Sequence, residues 1–196
     1  MNTYFIIYKP YHVLSQFSAV EGKKTLADFF SVPKDVYPVG RLDYDSEGLI
    51  ILTNDTKLNH RLLDPKFNHE REYWVQVDGA IQTDQLLCLQ KGVTINVDGK
   101  SYSTLPCKAV HLEKNPELPI RNPPIRFRKE IPAPWIKLIL KEGKNRQVRK
   151  MTASVGFPTL RLIRVRIEGL GLENFQPGEI IQLSQSEINQ KLFYVK

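Results

Sequence analysis

The sharpest constraint on the fold is a change of character between residues 40 and 53. Gly40-Arg41-Leu42-Asp43-Tyr44-Asp45-Ser46-Glu47-Gly48 is short, polar and bounded by glycines. Leu49-Ile50-Ile51-Leu52-Thr53 behind it is apolar and rich in β-branched residues, and reads as a buried strand. The polar stretch must then be a loop carried on the end of that strand, with carboxylates on alternate residues. Loops held by a rigid scaffold are where chemistry concentrates, because a buried loop would strand its own polar backbone.

Several readings compete for this loop. Asp, Ser and Gly are ordinary turn formers, so a surface turn is one. A calcium loop is another, since Asp43, Asp45, Glu47 and Gly48 fill the first, third, fifth and sixth places of the EF-hand pattern. That reading fails at the twelfth place, where Asn54 stands instead of a bidentate Glu, and in its strand-like flank. A glycosidase pairing Asp43 with Glu47 across a sugar is a third, and a non-catalytic RNA-binding protein a fourth. The last reading is a single catalytic carboxylate.

Charge narrows the choice. The 196 residues are 41% hydrophobic and 25% charged, enough for one sizeable core or two small lobes. A net charge of +7 and an isoelectric point near 9.4 favour polyanions, nucleic acid before acidic membrane, and speak against a neutral glycan. Met1 to Lys9 has no basic leader and too short an apolar run for a signal peptide. No later stretch is long enough to span a bilayer, so a cytoplasmic protein without membrane contact is expected. Cys88 and Cys107 form no CxxC pair, and His12, His60, His69 and His111 are scattered, so no metal is expected. Cys88, among Leu86, Leu87 and Leu89, reads as a core thiol. His12 reads as structural, with a substrate contact the alternative.

Along the chain, strands are expected at Tyr4 to Tyr8, Leu49 to Thr53, Tyr73 to Val77, Val93 to Val97, within Tyr102 to Leu112, at Trp135 to Leu140, Leu160 to Ile167 and Ile180 to Leu183. One or two helical turns are expected over Thr25 to Phe30. Helices are expected after Asn54 or Asp55 through Leu63, from Thr83 to Gly92, from Arg146 to Val155 behind an Asn145 cap, and after Ser184 or Ser186. In the third of these Arg146, Arg149 and Lys150 share one face, opposite Val148, Met151, Thr152 and Val155. Arg161, Arg164 and Arg166 read as the basic face of a strand. Residues 115–134 hold six of the 13 prolines together with Arg121, Arg126, Arg128 and Lys129. Proline at that density enforces a stiff, extended arm, either a surface connection or an RNA-facing element. The absence of a strict βαβ rhythm points to a mixed, largely antiparallel α+β fold.

Gly40 to Leu49 resembles, nearly letter for letter, the active-site motif of the RsuA-type pseudouridine synthases, whose first Asp is catalytic; Asp43 holds that place here. Tyr8-Lys9-Pro10, Glu72-Tyr73-Trp74-Val75-Gln76-Val77-Asp78-Gly79 and Glu142-Gly143-Lys144-Asn145-Arg146-Gln147-Val148-Arg149-Lys150-Met151 resemble the same family in family order. Arg121-Asn122-Pro123-Pro124-Ile125-Arg126 and Trp135 resemble its large-subunit ribosomal RNA branch. The resemblance implies a pseudouridine synthase fold, α+β, with a mixed, mostly antiparallel sheet in two halves, flanking helices and a central cleft. It implies one catalytic domain over 1–196 with two sub-lobes. The pattern starts at Tyr4, so the S4-type RNA-binding module of many relatives is not expected before it.

The implied activity is an isomerase's: a uridine of 23S ribosomal RNA becomes its C-glycoside isomer, with no cofactor and by a monomer. The base must leave the stack for the sugar–base bond to be reached. Asp43 then acts at the ribose, by attack at C1′ or by taking the C2′ proton. Burial favours a neutral carboxylate, and a guanidinium fork offsets that. By resemblance Arg149 is this partner, with Arg146 the nearby alternative. Arg41 seldom could close a fork from two residues away and stands as a substrate contact. Tyr73 matches the tyrosine that stacks on the target base, and Leu162 an apolar contact to it. Asp45 and Glu47 are assigned to holding the loop. Arg126 and Arg128, with Arg164 and Arg166 as a second patch, are the candidate phosphate contacts.

Overall fold

The computed structural model describes residues 2–126, 128–172 and 175–194. The chain divides into two compact units, Met1–His69 with Ile163–Lys196, and Glu70–Leu162.

In the first unit the apolar run behaves as a strand buried on both faces. Glu47–Thr53 is buried at every position, as expected of a continuous apolar stretch with neighbours on both sides. Tyr4–Lys9 pairs with it antiparallel, Tyr4 opposite Thr53 and Lys9 opposite Gly48. Ile180–Leu183 pairs antiparallel with the other edge of Tyr4–Lys9. Thr159–Ile167 carries the chain back from the second unit, and its Ile163 and Arg164 pair in parallel with Glu47 and Gly48. Pro10, which has no N–H to give a ladder, follows the first strand. Asp55 caps helix Thr56–Leu63 by accepting from the N–H of Lys57 and Leu58, both at 3.0 Å. Leu58 and Leu62, four apart, are its buried face.

The second unit is built on an antiparallel sheet. Trp135–Leu140 pairs with Arg71–Val77 on one side, Leu138 opposite Tyr73, and with Lys108–His111 on the other. Helix Thr83–Lys91 packs on Lys108–His111, and helix Gln147–Ser154 on Thr94–Val97. Thr94–Val97 and Lys100–Ser103 form a hairpin through Asp98-Gly99, both at positive φ, as that dipeptide favours. The mixed, mostly antiparallel α+β class therefore holds.

Several boundaries differ from expectation. The extended stretch from Tyr102 is two strands, Lys100–Ser103 and Lys108–His111. Over Leu26–Asp28 there is a single 3₁₀ turn. Helix Gln147–Ser154 starts from Arg146 in the left-handed region (φ 53°) with no side-chain cap, so Asn145 does not cap it. Thr83 is already helical, and the cap before it is Gln82, whose N–H is taken by Gln85 Oε1 at 3.1 Å. Cys88 is exposed, not a core thiol, because Leu86 and Leu89 are the inward row of that helix.

Gly48 sets the tightest steric limit. Its φ is +118°, and a Cβ built there would lie 2.3 Å from the carbonyl oxygen of Arg164. Gly48→Ala is expected to destabilise the protein by at least about 2 kcal/mol, since strained φ and a backbone clash act together. Urea unfolding of variant and wild type checks this.

Candidate active site

Asp43 opens a turn closed by the Ser46 N–H donating to its backbone carbonyl at 3.0 Å. Asp43, Tyr44 and Asp45 are half-buried, Ser46 and Glu47 buried, and Arg41 exposed. The approach to the turn is pinned from an earlier loop. Ser15 Oγ donates to the Leu42 carbonyl at 2.7 Å and accepts from the Leu42 N–H at 3.0 Å, all buried. Both backbone groups of the residue before Asp43 are thus held by one hydroxyl. A short aromatic ladder borders the turn. His12 stacks on Tyr11 (centroids 3.9 Å apart) and on Tyr44 (4.8 Å), and Lys23 Nζ lies 5.4 Å from the Tyr44 centroid. The structural reading of His12 is the one this supports.

Behind the turn lies Lys9, which is 0% exposed. Its ammonium donates to the carbonyls of Pro10 and Val13, both at 2.8 Å. Burial lowers its pKa to about 7, against the opposing pull of Glu47, Asp43 and Asp45 and with a further push down from Arg164. Glu47, at 2% exposure, is a wall of this nook. That burial removes the glycosidase pairing of Asp43 with Glu47, which needs both carboxylates at a sugar.

Arg164 also departs from expectation. It is 4% exposed, and its Nε donates to the Leu49 carbonyl at 2.8 Å. The alternation that suggested a solvated basic face overlooked that both sides of this strand are covered. Arg161 is likewise buried and donates to the Pro119 carbonyl at 2.9 Å. Arg166 is half-buried and holds the Glu168 carbonyl at 2.6 Å. Of the second patch expected from the sequence, Arg164 is buried and Arg166 half-buried.

Tyr73, Arg126, Arg128, Arg146, Arg149 and Leu162 belong to the second unit. Tyr73 and Leu162 are buried, at 8% and 4% exposure. Arg149 and Lys150 are half-buried on helix Gln147–Ser154, whose inner face is Gln147, Val148, Met151 and Thr152. Arg146 is exposed. Buried Glu142 organises the approach to this helix. It accepts from the Tyr102 hydroxyl, the Leu105 N–H (2.8 Å) and Gln147 Nε2 (2.7 Å), while Gln147 Oε1 takes the Lys144 N–H at 2.9 Å.

The proline-rich arm is tied down at points. Arg121 donates to the carbonyls of Pro123 (2.9 Å) and Leu160 (3.4 Å), and Arg128 pairs with Asp78. Exposed Arg126 and Lys129, with Ile125, Ile131, Gln76 and Leu160, line a groove of about 400 Å³.

Sequence reasoning missed Ser15, and it held Lys9 and Glu142 only as members of motifs, with no role assigned to either. Lys9 carried a signal: a lysine ending a run of otherwise apolar strand residues is out of place there. Ser15 carried none, because its partner Leu42 lies 27 residues away, and nothing local pairs Glu142 with the Tyr102 hydroxyl, the Leu105 N–H and the Gln147 amide.

This fold is that of a pseudouridine synthase: a crystal structure of a pseudouridylate synthase superposes with a TM-score of 0.78 at 26% identity, over 98% of this chain and 74% of that one. The chain is 51% identical over 179 residues to ribosomal large subunit pseudouridine synthase E of Vibrio vulnificus, covering 91% of this chain and 74% of that protein. It is 51% identical over 176 residues to the protein of the same name from Xanthomonas campestris pv. campestris, covering 89% and 91%. Residues 3–154 match the family model described as RNA pseudouridylate synthase, and the chain belongs to that family. It is accordingly an isomerase that converts uridine in RNA to pseudouridine.

Ser15→Ala leaves the buried Leu42 N–H and carbonyl without their partner. Stability should fall by about 1–3 kcal/mol, and turnover by more than the folded fraction accounts for. Denaturant melts and single-turnover rates measured together check both.

Proposed function

We propose that this protein isomerises a uridine of large-subunit ribosomal RNA, with Asp43 as the reacting carboxylate and Arg149 as the guanidinium that keeps it ionised. The observation that carries the reading is the 51% identity, over about nine-tenths of the chain, to proteins named for that activity. The family match over residues 3–154 includes Asp43, Tyr73, Arg146 and Arg149. The cytoplasm is the compartment where such RNA is met; among the described residues no helix is long and apolar enough to cross a membrane.

The chemistry needs little from the protein beyond placement and charge. The target uridine leaves its stack, at a cost that is least in a single-stranded or loosely paired stretch. Asp43 acts at the ribose, the bond from C1′ to N1 breaks, and the uracil turns to present C5. C1′ bonds to C5, the C5 proton leaves, and N1 gains a proton, so atoms and charge balance. Tyr73 stacks on the base and lies near the departing proton, Leu162 contacts the base, and Arg41 and Arg146 bind the RNA backbone beside it.

Asp43→Asn keeps the shape of the side chain and removes its charge. Pseudouridine formation on unmodified 23S ribosomal RNA should stop while RNA binding persists. Turnover near the wild-type rate would defeat the assignment. A primary isotope effect with 2′-deuterated uridine would assign Asp43 to the C2′ proton; a rate unchanged by the label would assign it to attack at C1′. Arg149→Lys should also slow the reaction, because a point cation does not reproduce a fork.

The arm supplies phosphate contacts through Arg126 and Lys129 at its groove, with Arg128 beside them on Asp78. Each phosphate contact on a single strand contributes about 0.7 to the log–log slope of affinity against salt. Arg126→Ala with Lys129→Ala should flatten the slope by about 1.4 and leave the choice of uridine intact. An unchanged slope would make the arm a solvated connection.

A further inference from the structure

Three stretches that are far apart in sequence meet beside Asp43. Val13 pairs in parallel with Lys24, which draws together the loop of Tyr11 and His12 and the turn that ends at Lys23. Ser15 bonds both backbone groups of Leu42, which brings Tyr44 up to the same place. The outcome is a ladder of rings. Tyr11 stacks on His12 at 3.9 Å between centroids, and His12 on Tyr44 at 4.8 Å and only 7° from parallel. The Lys23 ammonium stands over the Tyr44 ring, 5.4 Å from its centroid. All three rings are half-buried and Lys23 is exposed, as are Lys24 beside it and Arg41 before Leu42.

Packing alone does not account for this arrangement. His12 holds φ at 56°, a region where a side chain is strained and glycine is not. A loop shaped only for stability would carry glycine there. The strain is kept together with the ring that backs Tyr44, and backbone outliers of this kind collect where a ligand is held. The rings also stay half open to solvent, where burial contributes less than it would in the core.

A nucleobase fits what the ladder offers. Flipping a uridine leaves a gap in its strand, and the base beside it loses a stacking partner. An aromatic side chain restores that contact for any base, since every base has a π-face. Consecutive Cα atoms are about 3.8 Å apart, so a ring at residue 44 lies within a nucleotide's reach of a carboxylate at residue 43. A long, exposed lysine over that ring is a cover that a base can displace, and its ammonium then meets a phosphate.

We propose that Tyr44, backed by His12 and Tyr11, is a stacking site for the nucleobase flanking the target uridine, with Lys23 moving from the ring to the flanking phosphate. The inference rests on Asp43 being the reacting group. By taking the place of the departed uridine, Tyr44 offsets part of the cost of flipping.

The test uses a 23S ribosomal RNA fragment carrying the uridine that the wild-type protein converts, with 2-aminopurine placed on each side of it in turn. This base fluoresces weakly when stacked and strongly when not. Binding is followed in the Asp43→Asn background, which keeps the RNA unconverted, with Tyr44 intact, Tyr44→Phe or Tyr44→Leu, and with urea unfolding of each. At one of the two positions the probe should stay dim with Tyr44 intact and with Tyr44→Phe, and brighten with Tyr44→Leu. Affinity should fall by about fivefold or more with Tyr44→Leu, the loss of one stacked base, and hold with Tyr44→Phe. A folded Tyr44→Leu form with undiminished affinity and a dim probe at both positions overturns the proposal and leaves the ladder a packing device. So does a probe that brightens at both positions with Tyr44 intact, which decides the matter alone if Tyr44→Leu does not fold. An Asp43→Asn form that converts the uridine defeats the underlying assignment instead, and the probe still reports the stacking.

Discussion

The close approach of two strands at Gly48 is the contact on which the acidic turn depends. Paired strands lie about 4.8 Å apart, and here the backbone of Arg164 comes so near that a methyl group would overlap it. Only a residue without Cβ, free to take φ +118°, lets Arg164 pair in parallel with the strand that Lys9 flanks on its other edge. The result is a row of Lys9, Gly48 and Arg164 across three neighbouring strands. Asp43 and Asp45, on the turn before this strand, are half-buried.

The charge of the whole molecule divides along the same line. Buried cations such as Lys9, Arg161 and Arg164 donate to backbone carbonyls inside the fold. Others such as Arg41, Arg126, Lys129 and Arg146 are exposed at the surface. A net charge of +7 therefore overstates what any one surface presents to RNA. In the arm, prolines restrict the backbone and Arg121 donates to the Leu160 carbonyl, so less backbone freedom remains to be lost.

Much of this was legible in the sequence, for identifiable reasons. The apolar run behind the acidic loop, the Asp55 cap and the amphipathic face of Val148, Met151 and Thr152 are local signals, and each held. The motif that placed Asp43 also pointed to the family. What failed was long-range burial. Arg164 looked like part of a solvated face because alternation along one strand does not tell whether both sides are covered. Cys88 looked internal because Leu87 beside it is apolar, although it turns outward. Lys9 was visible only as part of a motif; its burial and its neighbours follow from the strands around it. Ser15 meets Leu42 across 27 residues, a pairing no local pattern encodes.

Modification of a large-subunit ribosomal RNA uridine through Asp43 is the proposed role of this chain. The most direct measurement is a nucleotide-resolution pseudouridine map of ribosomal RNA from cells with the gene, without it, and with it restored as wild type or as the Asp43→Asn form. The account predicts that a large-subunit pseudouridine disappears on deletion, returns with wild type and does not return with Asp43→Asn. An unchanged map, a loss confined to small-subunit RNA, or restoration by Asp43→Asn would contradict it.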